Sequence, residues 1–446
     1  MITSDRQSQS AFASYFNRGI SDQARALTKD VALQQRISRQ APWQRVSILP
    51  VYRESPDCLE QLALPEPDKH LLIVIANRPD TDPDVSWLRP WQRALPSSEQ
   101  QSRHHLTTHP AAGDILWLDF ASQQGIPASQ GVGLARKIAA DFACLQISEQ
   151  RVLSPWIHSL DADTRLPQDY FSHTDNLTDY SAVTYPFRHI GNPEDPHHRA
   201  TLVYEWHILR YALGLKRAGS MHSWIALGSA MAVHAADYAR VRGFPNRPAG
   251  EDFYLLNKLS KVRPVLCASG QAIQIHSRLS DRVPFGTGPS AQRISALNDV
   301  MLWPSRHPAV FEMLKEYREK LILSLDTDIH EQMFDKPSLD AIQKARSASP
   351  DRGRQYRHLL AWFDAFQELK RIHFYRDHYH PDRPIKELIS LDREAKLDLS
   401  ESHFEPTGSA NLIQANQRMQ QVLFDNSNQG ASSAQLKPHE HRREKA

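Results

Sequence analysis

Leu71-Leu72-Ile73-Val74-Ile75 is the segment that most restricts the fold of this chain. It is rich in β-branched residues and has no polar alternation. A strand exposed on one face alternates apolar and polar positions; a strand covered on both faces does not. The run therefore predicts a buried parallel strand. Val46-Ser47-Ile48-Leu49-Pro50-Val51 predicts a second, ended by its proline. Ile115 to Leu118 predicts a third, and Trp156-Ile157-His158-Ser159-Leu160 a fourth. Ala182 to Tyr185 and Gly228 to Val233 read as further strands.

Helical spacing separates these runs. Leu134, Ile138, Phe142 and Leu145 share one helical stripe, as do Leu202, Trp206, Leu209 and Leu213, and Asp252 to Leu259 also reads as a helix. Strands alternating with helices predict an α/β fold: a mostly parallel, doubly wound open sheet with helices on both faces. Ligands of such sheets bind at the carboxyl ends of the strands. The organisation expected is an N-terminal arm over 1–42, helical or partly disordered and loosely attached. An α/β sheet domain over 43–300, a helical extension over 301–400 and a disordered tail over 401–446 follow. Residues 86–113, rich in Pro, Ser, Gln and His, read as an insertion or mobile loop. In the extension, Val310, Phe311, Leu314 and Leu321 predict one helix. Leu359, Trp362, Phe363, Phe366 and Leu369 predict another.

Composition narrows the function. Fifty-three Lys+Arg against 51 Asp+Glu leave a net charge of +2, which provides no electrostatic case for a nucleic-acid binder. Three scattered cysteines, Cys58, Cys144 and Cys267, fit a reducing compartment rather than a disulfide framework. No apolar run has membrane-spanning length, and the polar first residues lack a signal-peptide core. A cytoplasmic location is expected.

Asp161-Ala162-Asp163 closes the fourth strand. Two carboxylates there can hold a hard cation against a diphosphate, since Mg²⁺ typically binds one or two carboxylates plus phosphate oxygens. They can equally form a solvated turn that caps the next element. Glu251-Asp252 opens a helix. Acids are favoured there by the helix dipole, or one of them could serve as a general base. His276 ends the short run Ala272-Ile273-Gln274-Ile275 and precedes Ser277-Arg278; Arg282 and Gly286-Thr287-Gly288 suit a loop closing over phosphates. His373, His378 and His380 form a rival metal cluster without zinc-type cysteine spacing.

Taken in order, these segments resemble family 2 glycosyltransferases of the GT-A fold over residues 44–290. Ile48-Leu49-Pro50-Val51-Tyr52-Arg53-Glu54 is similar to the family's first strand, with Arg53 in place of the usual Asn. Gly131 to Lys137 resembles its nucleotide-side helix, Asp161-Ala162-Asp163 its D-x-D motif, and Glu251-Asp252 its E-D pair. The segment Gly228-Ser229-Ala230-Met231 with Arg242-Gly243-Phe244 resembles the acceptor side. The resemblance implies sugar transfer from a UDP- or GDP-sugar to an unknown acceptor hydroxyl, assisted by Mn²⁺ or Mg²⁺. It implies that Pro50, Tyr52 and Glu54 line the nucleoside pocket, with Asp161 near the nucleoside. Asp163 and His276 would bind the metal. Arg136, Lys137 and Arg282 would contact the diphosphate. Asp252, with Glu251 beside it, would be the base of an inverting reaction. Ala76-Asn77-Arg78-Pro79-Asp80 lacks the family's usual carboxylate, leaving Asn77 to meet the base edge. Alternatives are a nucleotidyltransferase, disfavoured by the absence of a Gly-rich basic loop after the first strand, and a non-catalytic nucleotide-sugar-binding relative.

Overall fold

The computed structural model describes residues 2–40, 42–96, 103–278, 282, 284–327, 331–394 and 408–425. These form two compact units: 1–205 with 224–296, and 206–223 with 297–446.

The first unit begins with three helices, α1 (Ile2–Arg18), α2 (Asp22–Leu27) and α3 (Val31–Arg39). Strands β1 (Arg45–Val51), β2 (His70–Ala76), β3 (His104–His109), β4 (Gly113–Asp119) and β5 (Trp156–Ser159) follow. Helices α4 (Cys58–Gln61), α5 (Leu88–Ala94) and α6 (Gly131–Ser148) lie between them in sequence. The rest of the unit carries β6 (Thr164–Arg165), β7 (Ala182–Thr184), β8 (Phe187–Ile190), β9 (Met231–His234), β10 (Val265–Cys267) and β11 (Ile273–His276). Its remaining helices are the start of α7 (Pro196–Arg217), then α8 (Ala235–Arg240), α9 (Glu251–Leu259) and α10 (Thr287–Ser295).

Eight strands form the main sheet in the order β10-β7-β9-β5-β1-β2-β4-β3. From β1 the chain adds β2 and β4 on one side, then returns to place β5 on the other. Strand order therefore reverses between β1 and β5, and the crevice beyond their carboxyl ends is the position favoured for ligands. The β1–β2, β2–β4, β1–β5 and β7–β10 pairs are parallel, as expected. Strand β9 differs: it runs antiparallel between β5 and β7, so its amino end meets the carboxyl end of β5. Strands β6, β11 and β8 form a small second sheet, in which β11 is antiparallel to β6.

Pro50 is tolerated in β1 for a geometric reason. The Ile48 carbonyl accepts from Leu160 N–H, and the Val51 carbonyl accepts from Asn77 N–H. Even-numbered backbone groups of β1 thus face β5 and odd-numbered ones face β2. Pro50, which has no N–H, faces the β5 side where that strand has already ended. The ladder loses no bond at the mouth of the crevice.

Residues 86–113 are not a mobile insertion where they are described. They supply α5 and the antiparallel edge strand β3, and Trp91 is fully buried, stacked on Trp117. Residues 97–102 lie outside the described residues. The N-terminal arm is tightly held rather than loosely attached. The Tyr15 hydroxyl donates to Asp141 Oδ1 at 2.5 Å, Ser21 N–H donates to Asp141 Oδ2 at 2.7 Å, and the Tyr238 hydroxyl donates to Oδ1 at 2.7 Å. Lys137 Nζ donates to the Tyr15 hydroxyl at 2.6 Å and lies 3.3 Å from Asp141.

The second unit is helical: the end of α7, then α11 (Ala309–Leu323), α12 (Lys336–Ala348), α13 (Arg352–Trp362), α14 (Ala365–His378), α15 (Ile385–Glu394) and α16 (Ser409–Phe424). Its core joins Leu215, Phe311, Leu314, Leu321, Ile342 and Ile372. The helix expected over 359–369 is two. Asp364 caps α14 by accepting from the N–H groups of Phe366 and Gln367, which ends α13 just before it. Glu368, fully buried, accepts from Ser220 Oγ at 2.5 Å and pairs with His222 at 3.1 Å and with Arg318. The expected tail contains α16, with Leu412, Met419 and Leu423 buried. Residues 401–407 and 426–446 lie outside the described residues. Among the described residues, no helix is long and apolar enough to cross a membrane.

The Asp141 cluster generates a stability prediction. Asp141→Ala leaves the buried Lys137 ammonium without its counter-charge and should cost about 3–5 kcal/mol. Urea denaturation, comparing midpoints at unchanged slope, measures this.

Candidate functional site

The site is built where β1, β5 and β9 meet α6 and α9. Helix α6 carries Arg136 inward, with 5% of its side chain exposed. Its Nε donates to Glu251 Oε1 at 2.9 Å, Nη1 to Ser159 Oγ at 2.8 Å and to the Gly228 carbonyl at 3.0 Å, and Nη2 to Asp161 Oδ1 at 2.7 Å. One guanidinium thus ties the end of β5, the segment before β9 and the start of α9. Gly228 leaves room for this guanidinium: a Cβ there would lie 2.5 Å from Arg136 Nη2, so the side chain would have to shift. Gly250 precedes α9 with φ +72, a left-handed conformation natural to glycine, and turns the chain so that Glu251-Asp252 begins the helix.

Asp161 and Asp163 stand on a tight turn after β5, in which Thr164 N–H and Oγ both donate to the Asp161 carbonyl. Strand β11 runs antiparallel to β6 directly after the turn. His276 consequently lies opposite Asp163, its N–H donating to the Asp163 carbonyl at 2.8 Å, and its side chain is exposed.

The loop after β1 adds Glu54. Its Oε2 accepts from Arg278 Nη1 at 2.7 Å, and its Oε1 pairs with Arg282. Arg278 also donates from Nε to Asp163 Oδ2 at 2.9 Å, so it spans the ends of β1 and β5. Arg282 additionally donates to the Tyr52 carbonyl at 2.7 Å. The Tyr52 hydroxyl donates to Asp82 Oδ2 at 2.5 Å, and Tyr52 meets Trp87 edge-on. Asn77 is buried at the carboxyl end of β2, and Pro50 is half-buried near the carboxyl end of β1.

Environment separates the carboxylates. Burial pushes Glu251 up to about 7, the neighbouring Asp252 adds to this, and Arg136 opposes it. Burial raises Asp161 as well, against the pull of Arg136. Burial also acts on Glu54, but the hydrogen bonds and charges of Arg278 and Arg282 outweigh it and hold that carboxyl below its ordinary value. Asp252 is half-buried, with Oδ1 accepting the Phe253 N–H at 2.7 Å.

Of the expected site residues, Tyr52, Glu54, Arg136, Asp161, Asp163, Glu251 and Arg282 are joined by direct contacts, Asp252 and His276 adjoin them by chain position and register, and Pro50 and Asn77 stand at the carboxyl ends of β1 and β2. Lys137 does not join them. It follows Arg136 on α6, points into the Tyr15–Asp141 cluster, and cannot serve as a diphosphate contact from there. Arg136, with four acceptors already, is a structural tie. Arg278 was not assigned a role from sequence, although its place two residues after His276 offered a signal. The rival histidine cluster does not assemble: His378 stacks on Phe374, His380 stacks on His307, and no group of three metal-ligating side chains forms among the described residues.

No family model matches the chain, and no curated protein matches it. Among solved structures, the mannosyltransferase PcManGT from Pyrobaculum calidifontis in complex with GDP-Man and Mn²⁺ aligns with a TM-score of 0.33 at 15% identity. The alignment covers 94% of this chain and 98% of that one. A likeness this distant carries no argument about activity.

The Glu251 shift has a defined sign. Its folded-state value lies above the ordinary 4.5, so the native state binds more protons than the unfolded chain between 4.5 and about 7. Its contribution to stability is therefore full at low pH and is lost as pH rises through that window. Urea denaturation across pH 5–8 should show wild type losing stability relative to Glu251→Gln as pH increases.

Proposed function

We propose that this chain is a metal-assisted glycosyltransferase of the GT-A, family 2 type, moving a sugar from a UDP- or GDP-sugar to an acceptor hydroxyl. The observation that carries this reading is convergence. Glu54, the Asp161/Asp163 turn and the Glu251-Asp252 pair are separated by about a hundred residues each, yet they meet at the strand-order reversal.

Asp163 and His276 suit a divalent ion. They offer one hard oxygen donor and one imidazole at adjacent positions, and the exposed side of His276 leaves room for phosphate oxygens and water. When bound, the ion supplies neutralisation of the charge developing on the departing nucleoside diphosphate. Arg278 and Arg282 are the side chains suited to grip the diphosphate, in place of Lys137. Tyr52, Pro50 and Asn77 border the space for the nucleoside.

Asp252 is the base in this reading. Its Oδ2 takes the acceptor hydroxyl proton as that oxygen bonds to the anomeric carbon and the bond to the diphosphate oxygen breaks. An inverting outcome follows from attack opposite the leaving group. Glu251 beside it is tied to Arg136, which fixes the start of α9 and with it the position of Asp252.

Two variants test the assignment. Asp252→Asn should retain nucleotide affinity and lose about 10²–10⁴ in turnover; near-normal turnover would contradict the base role. Asp163→Ala should lose Mn²⁺-dependent transfer, measured as donor consumption against Mn²⁺ concentration. Unchanged activity would remove Asp163 as a metal ligand.

A further inference from the structure

We infer that Arg278 is a displaceable internal cation: it holds Asp163 and Glu54 until a divalent ion takes Asp163, and its guanidinium then passes to the diphosphate of the incoming nucleotide. The inference rests on the metal and diphosphate reading given above and adds an obligatory coupling between the two ligands.

Three observations support it. The first is the difference between the crevice arginines. Arg136 is buried, and its removal would strand Glu251 and Asp161. Arg278 is 34% exposed and bridges Glu54 to Asp163. Glu54 is paired twice, so losing Arg278 leaves it with Arg282. Asp163 exchanges Arg278 for the ion. What sets Arg278 apart from Arg282, which also pairs with Glu54, is its bridge to Asp163, so an ion taken up by Asp163 displaces Arg278 while Glu54 keeps Arg282.

The second observation is charge. Glu54, Asp161, Asp163 and Asp252, with Glu251 pushed up to about 7 and only partly ionised near neutral pH, face Arg136, Arg278 and Arg282, so carboxylates outnumber cations even when Glu251 is protonated. That surplus repels a diphosphate arriving alone. A divalent ion arriving alone must compete with Arg278 for Asp163. Together the two ligands relieve both penalties, since the ion offsets the surplus and the freed guanidinium gains a diphosphate partner.

The third is backbone anchoring. Ser277 N–H donates to the Ile190 carbonyl at 2.8 Å, and Ser277 Oγ bonds His198 Nδ1 at 2.8 Å. The main chain beside Arg278 is pinned, so the exchange is a swing of one side chain.

Binding of Mn²⁺ alone, UDP alone, GDP alone and each pair is measured on the full chain, by electron paramagnetic resonance of free Mn²⁺ and by calorimetry. In wild type, Mn²⁺ and the preferred nucleotide should tighten each other by the same factor, roughly tenfold or more. Arg278→Met should bind Mn²⁺ alone roughly tenfold more tightly and the nucleotide more weakly, and the mutual factor should shrink toward one. Arg278→Lys, which keeps the charge but loses the fork, should fall between them. Thermal melting confirms that the variants are folded. Mn²⁺ affinity unchanged or weakened in Arg278→Met, while Asp163→Ala abolishes binding, would overturn the exchange and leave the metal reading standing. Mn²⁺ binding indifferent to Asp163→Ala would overturn both.

Discussion

The buried guanidinium of Arg136 is the interaction on which the first unit depends. It reaches the end of β5 through Ser159 and Asp161, the entry to β9 through Gly228, and the start of α9 through Glu251. A planar fork with five donors can satisfy four acceptors in fixed directions. A lysine, with a compact ammonium, cannot match that geometry. Desolvating such a charge is expensive and is offset only because two carboxylates and two neutral oxygens surround it. The same contacts keep Glu251 from standing alone as a buried acid. A larger residue at Gly228 would press on the guanidinium and force it to shift from these partners.

Helix α6 transmits that constraint in the other direction. Consecutive helical residues project about 100° apart, so Arg136 and Lys137 face different partners. Arg136 faces the crevice. Lys137 faces Tyr15, Gly19 and Asp141. The N-terminal helices are thereby fastened to the helix that organises the site. Motif reading treats Arg136-Lys137 as one basic pair near a diphosphate, whereas helical geometry splits it. The split is not visible without knowing which face of α6 meets the sheet, because α6 is buried nearly all round and has little amphipathic signal.

What was legible in sequence follows from burial. Strands β1, β2, β4 and β5 are covered on both faces, so their apolar runs stand out, and the acidic turn after β5 inherits a reliable position from its strand. Strand β3 is an edge strand of polar composition, His104-His105-Leu106-Thr107-Thr108-His109, and gives no such signal. The antiparallel insertion of β9 is a tertiary fact: its apolar run is equally consistent with either direction. Arg278 was hidden for a different reason. Its partners, Glu54 and Asp163, lie more than a hundred positions upstream, and only the pairing of β11 with β6 brings the segment back to them. His276 stood out because it ends a local strand-like run, and its register opposite Asp163 follows from that same pairing.

The strand-order reversal makes these long-range meetings unavoidable rather than fortunate. Beyond Ile48 and Ser159, β1 and β5 no longer share a ladder, so the loops that follow each strand meet at this end through the side chains they carry. Here both loops carry carboxylates. Like charges at such a gap need counter-ions close by, and the fold supplies them from two sources: a buried arginine on α6 and partly exposed arginines following β11. The buried one maintains the shape of the crevice. The partly exposed ones join the loop after β1 to the turn after β5 through Glu54 and Asp163. A site in which carboxylates and guanidiniums alternate in this way presents both signs of charge to a ligand, which is the property the proposed function draws on.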